Sequence, residues 1–269
     1  MSINAPESIK DILEEFVRAF REYLGKNLVG IYLHGSLAMG GYNPISSDID
    51  ILVVVKKKLS RDENEEIGQI MLKLSEKIEF HGFEMSIVTL DALQHFQYPT
   101  PYELRFSDSN KDDFEKGKVD FRKGLTDTDL AADFVITKRH GICLFGEPVI
   151  NIFPDIPDEY YFDSIAKDSE WSFNNIMKGA DIGECAVPVY GVLNFCRVLA
   201  FMKERLVASK LEGGQWAMEH LPQEYRPVIQ EAVNEYKKSG SARNVDGKLL
   251  KQFGRYAWGL ISKSLETSP

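Results

Sequence analysis

Residues 30–55 read GIYLHGSLAMGGYNPISSDIDILVVV. Two apolar runs, around Ile31–Leu33 and Ile51–Val55, enclose a loop of Gly, Ser, Asn and Pro, and the second run opens on two acids spaced Asp48-Ile49-Asp50. In an extended chain alternate side chains share a face, so Asp48 and Asp50 project together and Ile49 and Ile51 point the other way. Neighbouring carboxylates repel unless a cation lies between them. Magnesium suits such a pair, being a hard ion that takes oxygen ligands, keeps several waters and bridges to phosphates. The loop ahead of the acids adds glycine amides and the hydroxyls of Ser36 and Ser47, groups that suit phosphate oxygens. Glu84, in the run FEMSIV, supplies a third acid if that strand lies beside the first. A lone D-x-D also fits a solvated strand end. The sharper signal is the combination of strand, Gly35-Ser36, loop, acid pair, apolar strand and later acid.

Outward from this stretch, Ile9, Ile12, Leu13, Phe16, Val17, Phe20 and Leu24 recur at helical spacing and predict an amphipathic helix over 8–24. Strands are expected near 29–34, 49–55 and 83–88, with a helix over 62–77. Residues 98–126 read as a long polar connection with short helical pieces. A helix begins near 127–129 and stops at Gly141. CLFGEP (143–148) reads as a turn, and IFPDIPDEYY as a proline-punctuated linker. Beyond about Pro157 every periodic segment is helical. The expected fold class is α+β, with a mixed sheet and its helices over 1–155 and a helical domain over 156–269.

The chain has 269 residues, 43% of them hydrophobic and 27% charged, and a formal net charge of -9. That acidity argues against a general nucleic-acid binder, whose affinity rests on Lys and Arg neutralising phosphates, and suits a cationic ligand better. Cys143, Cys185 and Cys196 form no CxxC pair and read as reduced, small apolar residues. The N-terminal stretch lacks a basic-then-apolar signal pattern, and no run reaches the roughly 18 apolar residues that span a bilayer. A cytoplasmic monomer, with no membrane or nucleic-acid partner, is the expectation.

GSLAMGGYNPISSDID resembles the G-S…D-x-D signature of the polymerase-β-like nucleotidyltransferases. HGFEMSIVTLDAL, YPTPYELRF, TDTDLAADFVITKRHGICLFGEP and GGQWAMEHLPQEYRPVIQEAVNEY are similar, in order, to blocks of the bacterial aminoglycoside adenylyltransferases that modify streptomycin and spectinomycin. The resemblance implies a nucleotidyltransferase sheet followed by a helical bundle, with the active site between them. It implies transfer of AMP from ATP to a drug hydroxyl, with Asp48, Asp50 and Glu84 as catalytic residues. Asp48 and Asp50 become the ligands of two magnesium ions with Glu84 alongside, and Glu84 the base that accepts the hydroxyl proton. Ser36, Ser47, Asp129, Arg197, Lys210 and Tyr236 fall on nucleotide-side positions. For the chemistry, a positioned carboxylate contributes about 10²–10⁴-fold by proton removal, and cations offset the charge on the leaving phosphates.

Each position also has a plainer reading. Glu84 fits a solvent-facing strand residue, Arg197 a buried ion pair inside LNFCRVLAF, and Lys210 a cation near a helix end. Asp129 fits a helix N-cap and Tyr236 core packing. His34 is read as a support for the loop. The resemblance weakens in the acceptor pocket. KGADIGECAVPVY aligns poorly, leaving Asp181 and Glu184 as candidate ammonium partners, and Ser109 stands roughly where better-known members carry an aromatic. A different hydroxylated acceptor therefore stays open, as does a catalytically silent nucleotide-binding module. Three clustered acids argue against the latter, since without metal they only repel.

Overall fold

The run IDILVVV has no polar residue after Asp50, the mark of a strand covered on both faces. In the computed structural model, which describes residues 3–45, 47–78, 82–121, 124–180, 185, 188–238 and 246–267, it is the middle strand of a five-stranded sheet. The chain divides into two compact units, Met1–Ile156 and Pro157–Pro269.

The first unit runs α1 (Glu7–Leu24), β1 (Leu28–Leu33), α2 (Gly35–Ala38), β2 (Ile49–Val55), α3 (Arg61–Ser75), β3 (Phe83–Thr89) and α4 (Leu90–Gln94). It continues with β4 (Thr100–Pro101), β5 (Leu104–Phe106), α5 (Lys111–Glu115), β6 (Thr126–Asp127), α6 (Leu130–His140), β7 (Ile142–Gly146) and α7 (Val149–Ile152). Sheet order is β5-β3-β2-β1-β7, and β4 pairs separately with β6. Among the described strands only β2 and β3 run parallel. A parallel pair needs a crossover, here α3, whose start is fixed by a capping box between Ser60 and Glu63.

Alternation along the strands sorts the core into two layers. Ile31, Leu33, Ile49, Ile51, Val53, Val55, Met85, Ile87 and Phe106 pack beneath α1 and α3, with Phe16 and Phe20 of α1 stacked at 4.2 Å. Tyr32, Leu52, Val54 and Val88 face the opposite way, against Leu130 and Phe134 of α6 and Phe153. Each large side chain so buried contributes about 1.5–3 kcal/mol.

Three expectations need correction. CLFGEP is not a turn: residues 142–146 form β7, which pairs with β1. Its residues are all half-buried or exposed, so no alternation marked it as a strand. The polar connection after Tyr98 also carries β5, an edge strand of the main sheet held by β3. Three residues are too few to show a period, and the pairing that makes them a strand is nonlocal. Phe153, read as linker, is buried and stands edge-on to Tyr32 at 4.9 Å.

The second unit is helical: α8 (Asp158–Gly179), α9 (Pro188–Glu204), α10 (Lys210–His220), α11 (Arg226–Lys238) and α12 (Gly247–Thr267). Along α9, Val192, Leu193, Phe195, Cys196, Val198, Ala200 and Phe201 are buried all round, as befits a central helix, and the other four helices pack on it. At Gly213 on α10 an added β-carbon would press on the backbone of Arg197, so a side chain there would hold α9 and α10 apart. Among the described residues no helix is long and apolar enough to cross a membrane.

Candidate active site

Strand register brings the acids together. Asp50 of β2 lies directly opposite Glu84 of the parallel strand β3, so both side chains share the face that carries Leu52 and Val54. Ser86 of β3 lies opposite Arg105 of β5, which puts the guanidinium on that face too. Asp48 precedes β2 by one residue, half-buried beside Tyr42, whose phenol is pushed up by burial and then by the Asp48 charge.

Gly35 explains how the loop closes over this edge. Its φ is +60°, and a β-carbon there would overlap the Asp50 carboxylate, so only glycine fits both the left-handed backbone and the close approach. The preceding His34 is buried, and its backbone N–H donates to Asp50 O at 3.0 Å. Burial, then the nearby Arg105, lowers its pKa to about 3, so the ring is neutral. The Ser36 hydroxyl is buried with no hydrogen-bond partner, an omission that costs about 1–3 kcal/mol unless a ligand answers it. Ser47 is occupied within its own loop: its Oγ accepts from Asn43 N–H at 3.1 Å.

Arg105 is the residue that motif reading missed. Its Nη2 donates to Glu84 Oε1 at 2.6 Å, its Nη1 pairs with Asp127, and Asp129 stands 4.0 Å away. Desolvation opposes the charge, but Asp133, Glu84 and Asp129 outweigh it and raise the guanidinium pKa. Asp133, on α6, is held well above the ordinary carboxylate range by burial; Arg105 pulls the other way, and Glu84, Asp129 and Asp50 add to the rise. The crowd of acids is thus relieved in two ways, by one internal cation and by one carboxyl biased to its neutral form. A signal existed for both: an arginine between Leu104 and Phe106, and an acid inside LAADFVI.

Asp129 sits at the N-cap of α6 but makes no side-chain cap; its backbone N–H donates to Asp127 Oδ1 at 2.8 Å. Glu84 is only partly exposed and is engaged by Arg105. Among the described residues no three His, Cys, Asp or Glu side chains converge to hold an ion. Asp48 and Asp50 remain as hard oxygen donors, and two carboxylates completed by water and phosphate oxygens make an ordinary magnesium site. The orphaned Ser36 hydroxyl in the same loop supports a phosphate ligand nearby. On that chemistry the residues fit the ion.

The three remaining positions lie on helices of the second unit, where Lys210 and Tyr236 meet. Ser209 caps α10 through a capping box with Glu212, which makes Lys210 the first residue of the helix. Cations are favoured at the opposite end, so the helix-end reading of Lys210 fails. Its Nζ lies over the ring of Tyr190 at 4.5 Å and that of Tyr236 at 5.7 Å, and Tyr190 Oη donates to Asp168 at 2.5 Å. Tyr236 is buried, with Lys210 above its ring. Arg197 is half-buried on α9, and among the described residues it pairs with no carboxylate. Asp181 and Glu184 lie outside the described residues. Ser109 is exposed, and its hydroxyl meets that of Ser107 at 2.7 Å.

Comparison with known proteins matches two family profiles: a nucleotidyltransferase domain over residues 13–120 and an aminoglycoside adenylyltransferase C-terminal domain over residues 151–258. An aminoglycoside (3'') (9) adenylyltransferase from Klebsiella pneumoniae is 27% identical over 256 residues, spanning 93% of this chain and 94% of its own. A spectinomycin 9-adenylyltransferase from Staphylococcus aureus is 24% identical over 225 residues, 82% of each chain. Among solved structures, spectinomycin adenyltransferase AAD(9) from Enterococcus faecialis, crystallised with ATP and spectinomycin, superposes with a TM-score of 0.78 at 22% identity, covering 94% of this chain and 99% of that one. At that identity the likeness establishes the fold.

Proposed function

We propose that this chain, which belongs to the aminoglycoside adenylyltransferase family, transfers AMP from ATP to a hydroxyl of streptomycin or spectinomycin and so confers resistance to the drug. The observation that carries the reading is the register that sets Asp50 opposite Glu84, with Asp48 two residues upstream and Gly35 closing on Asp50. A nucleotidyl transfer needs that set: oxygen donors for a phosphate-bound cation and a separate carboxylate for the attacking hydroxyl.

Asp48 and Asp50 would hold magnesium, two ions by the family resemblance, which when bound polarises the phosphate oxygens and offsets the charge of the leaving pyrophosphate. Ser36 offers its unpartnered hydroxyl to a phosphate oxygen, and Ser47 shapes the loop that presents it. Glu84 accepts the proton of the attacking hydroxyl as its oxygen bonds to the α-phosphorus and the bond to pyrophosphate breaks. Arg197 and Lys210 are assigned to the phosphates, Tyr236 to the support of Lys210, and Asp129 to the nucleotide side. The seat of Lys210 over two tyrosine rings favours this use, because aromatic faces attract and orient a cation. The enzyme is read as a cytoplasmic monomer.

A second reading, transfer to another hydroxylated acceptor, draws on Ser109: an exposed hydroxyl pair there offers no stacking surface for a drug. One experiment separates the two. Incubation with ATP, magnesium and a panel of aminoglycosides, followed by mass spectrometry, is expected to show streptomycin or spectinomycin heavier by one AMP. An enzyme that binds Mg-ATP yet modifies none of them moves the assignment to the second reading.

A further inference from the structure

Glu84 and Arg105 meet diagonally on one face of the sheet, because Asp50 faces Glu84 and Ser86 faces Arg105 in successive strand pairs. The contact engages a single oxygen: Arg105 Nη2 reaches Glu84 Oε1 at 2.6 Å, while Oε2 has no hydrogen-bond partner among the described residues. On the other side of the guanidinium, Nη1 is held by Asp127 Oδ2, and Asp127 Oδ1 in turn accepts the Asp129 N–H at 2.8 Å. The strand that carries Arg105 is itself pinned, since Asn110 Nδ2 donates to Arg105 O at 3.0 Å. Arg105 retains only 23% side-chain exposure, so its forked, charge-assisted bonds are little weakened by solvent.

We infer that Arg105, braced by Asp127, is a positioning residue that fixes the Glu84 carboxylate and leaves Oε2 as the oxygen that meets the reacting hydroxyl. The inference rests on the proposed function and deepens it: the base is placed by a β5 arginine and a β6 aspartate, outside the G-S…D-x-D motif. A freely rotating carboxylate would meet the hydroxyl in the right pose only part of the time, and misplacement of a reacting group costs rate rather than binding.

The test uses the full-length chain as wild type, Arg105→Gln, Arg105→Lys, Asp127→Asn, Glu84→Gln and the Glu84→Gln/Arg105→Gln double variant. AMP transfer to spectinomycin and streptomycin is measured beside calorimetric binding of magnesium with a non-hydrolysable ATP analogue. Arg105→Gln should lower kcat about 100-fold, within the range of a general base, with analogue affinity within about 3-fold of wild type. Arg105→Lys should recover part of the loss, and Asp127→Asn should show the same signature at about 10-fold. In the double variant the losses should not multiply, because Arg105 acts only through Glu84. Turnover of Arg105→Gln within about 3-fold of wild type, analogue binding lost in step with kcat, or multiplying losses in the double variant would each overturn the inference. If Arg105→Gln does not fold, Arg105→Lys and Asp127→Asn decide by the same criteria. A wild type inactive on every acceptor overturns the functional reading and this inference together, whereas an active wild type with equally active variants overturns the inference alone.

Discussion

The two units place charge by different means. In the sheet unit, Asp50 and Glu84 are set by strand register, and repulsion is relieved internally by Arg105. In the helical unit, Lys210 and Arg197 are set by helix packing. Lys210 rests on tyrosine faces at the end of α10 where the helix dipole opposes it, and Arg197 has no acid partner among the described residues. The acids are therefore relieved by a cation on their own sheet face, while Lys210 is seated on aromatic rings. The cations of the second region suit an anionic ligand, and the carboxylates of the first suit a divalent cation.

The largest expected effect tests the acid side. Asp50→Asn should abolish measurable AMP transfer, about 10³-fold or more, since metal-borne charge stabilisation is worth several kcal/mol. It should also weaken magnesium-dependent ATP binding by calorimetry; full ATP binding in that variant would remove Asp50 from the metal site. Next, Glu84→Gln should lower kcat about 10²–10⁴-fold while leaving Mg-ATP affinity intact, and normal turnover would strip Glu84 of its proton-accepting role.

On the cation side, Lys210→Met keeps the stem against the two rings and removes the charge. ATP affinity should fall about 10-fold, with unfolding free energy changed by less than about 1 kcal/mol, the scale of an exposed cation–π contact. A variant that loses stability and keeps ATP affinity would turn Lys210 into a packing residue and erase the contrast between the units.

The smallest effect concerns pH. His34 titrates near 6.5 in the unfolded chain and at about 3 when buried. Between those values the unfolded state binds more protons, so stability rises with pH and is lost as pH falls from 6.5 toward 3. In metal-free buffer the loss from pH 8 to pH 5 should be about 2 kcal/mol by urea unfolding, and His34→Gln should flatten that dependence. An equally steep profile in the variant would assign it to other groups.

How much of this was legible depended on whether the physics was local. Asp48-x-Asp50 ahead of ILVVV announced its strand and its shared face, and Glu84 followed once its strand was taken as a neighbour. The helices stood out by period. Arg105 did not, because its meaning comes from Glu84 and Asp127, each about twenty residues away. β7 was hidden because its half-buried residues never alternate. The end of α10 was misjudged for Lys210 because Ser209 and Glu212, which mark its beginning, were not read as a capping box.

Register also decides what the gene can tolerate. The turn between α2 and Ser47 can gain or lose codons without turning Asp50, since pairing with β1 and β3, and not loop length, decides where Asp50 points. One codon deleted within β2 would instead invert every side chain downstream of it, turning Leu52 and Val54 toward the opposite core layer and Ile51 and Val53 out of it. Indels among homologous chains should accordingly gather in that turn and stop ahead of Ser47.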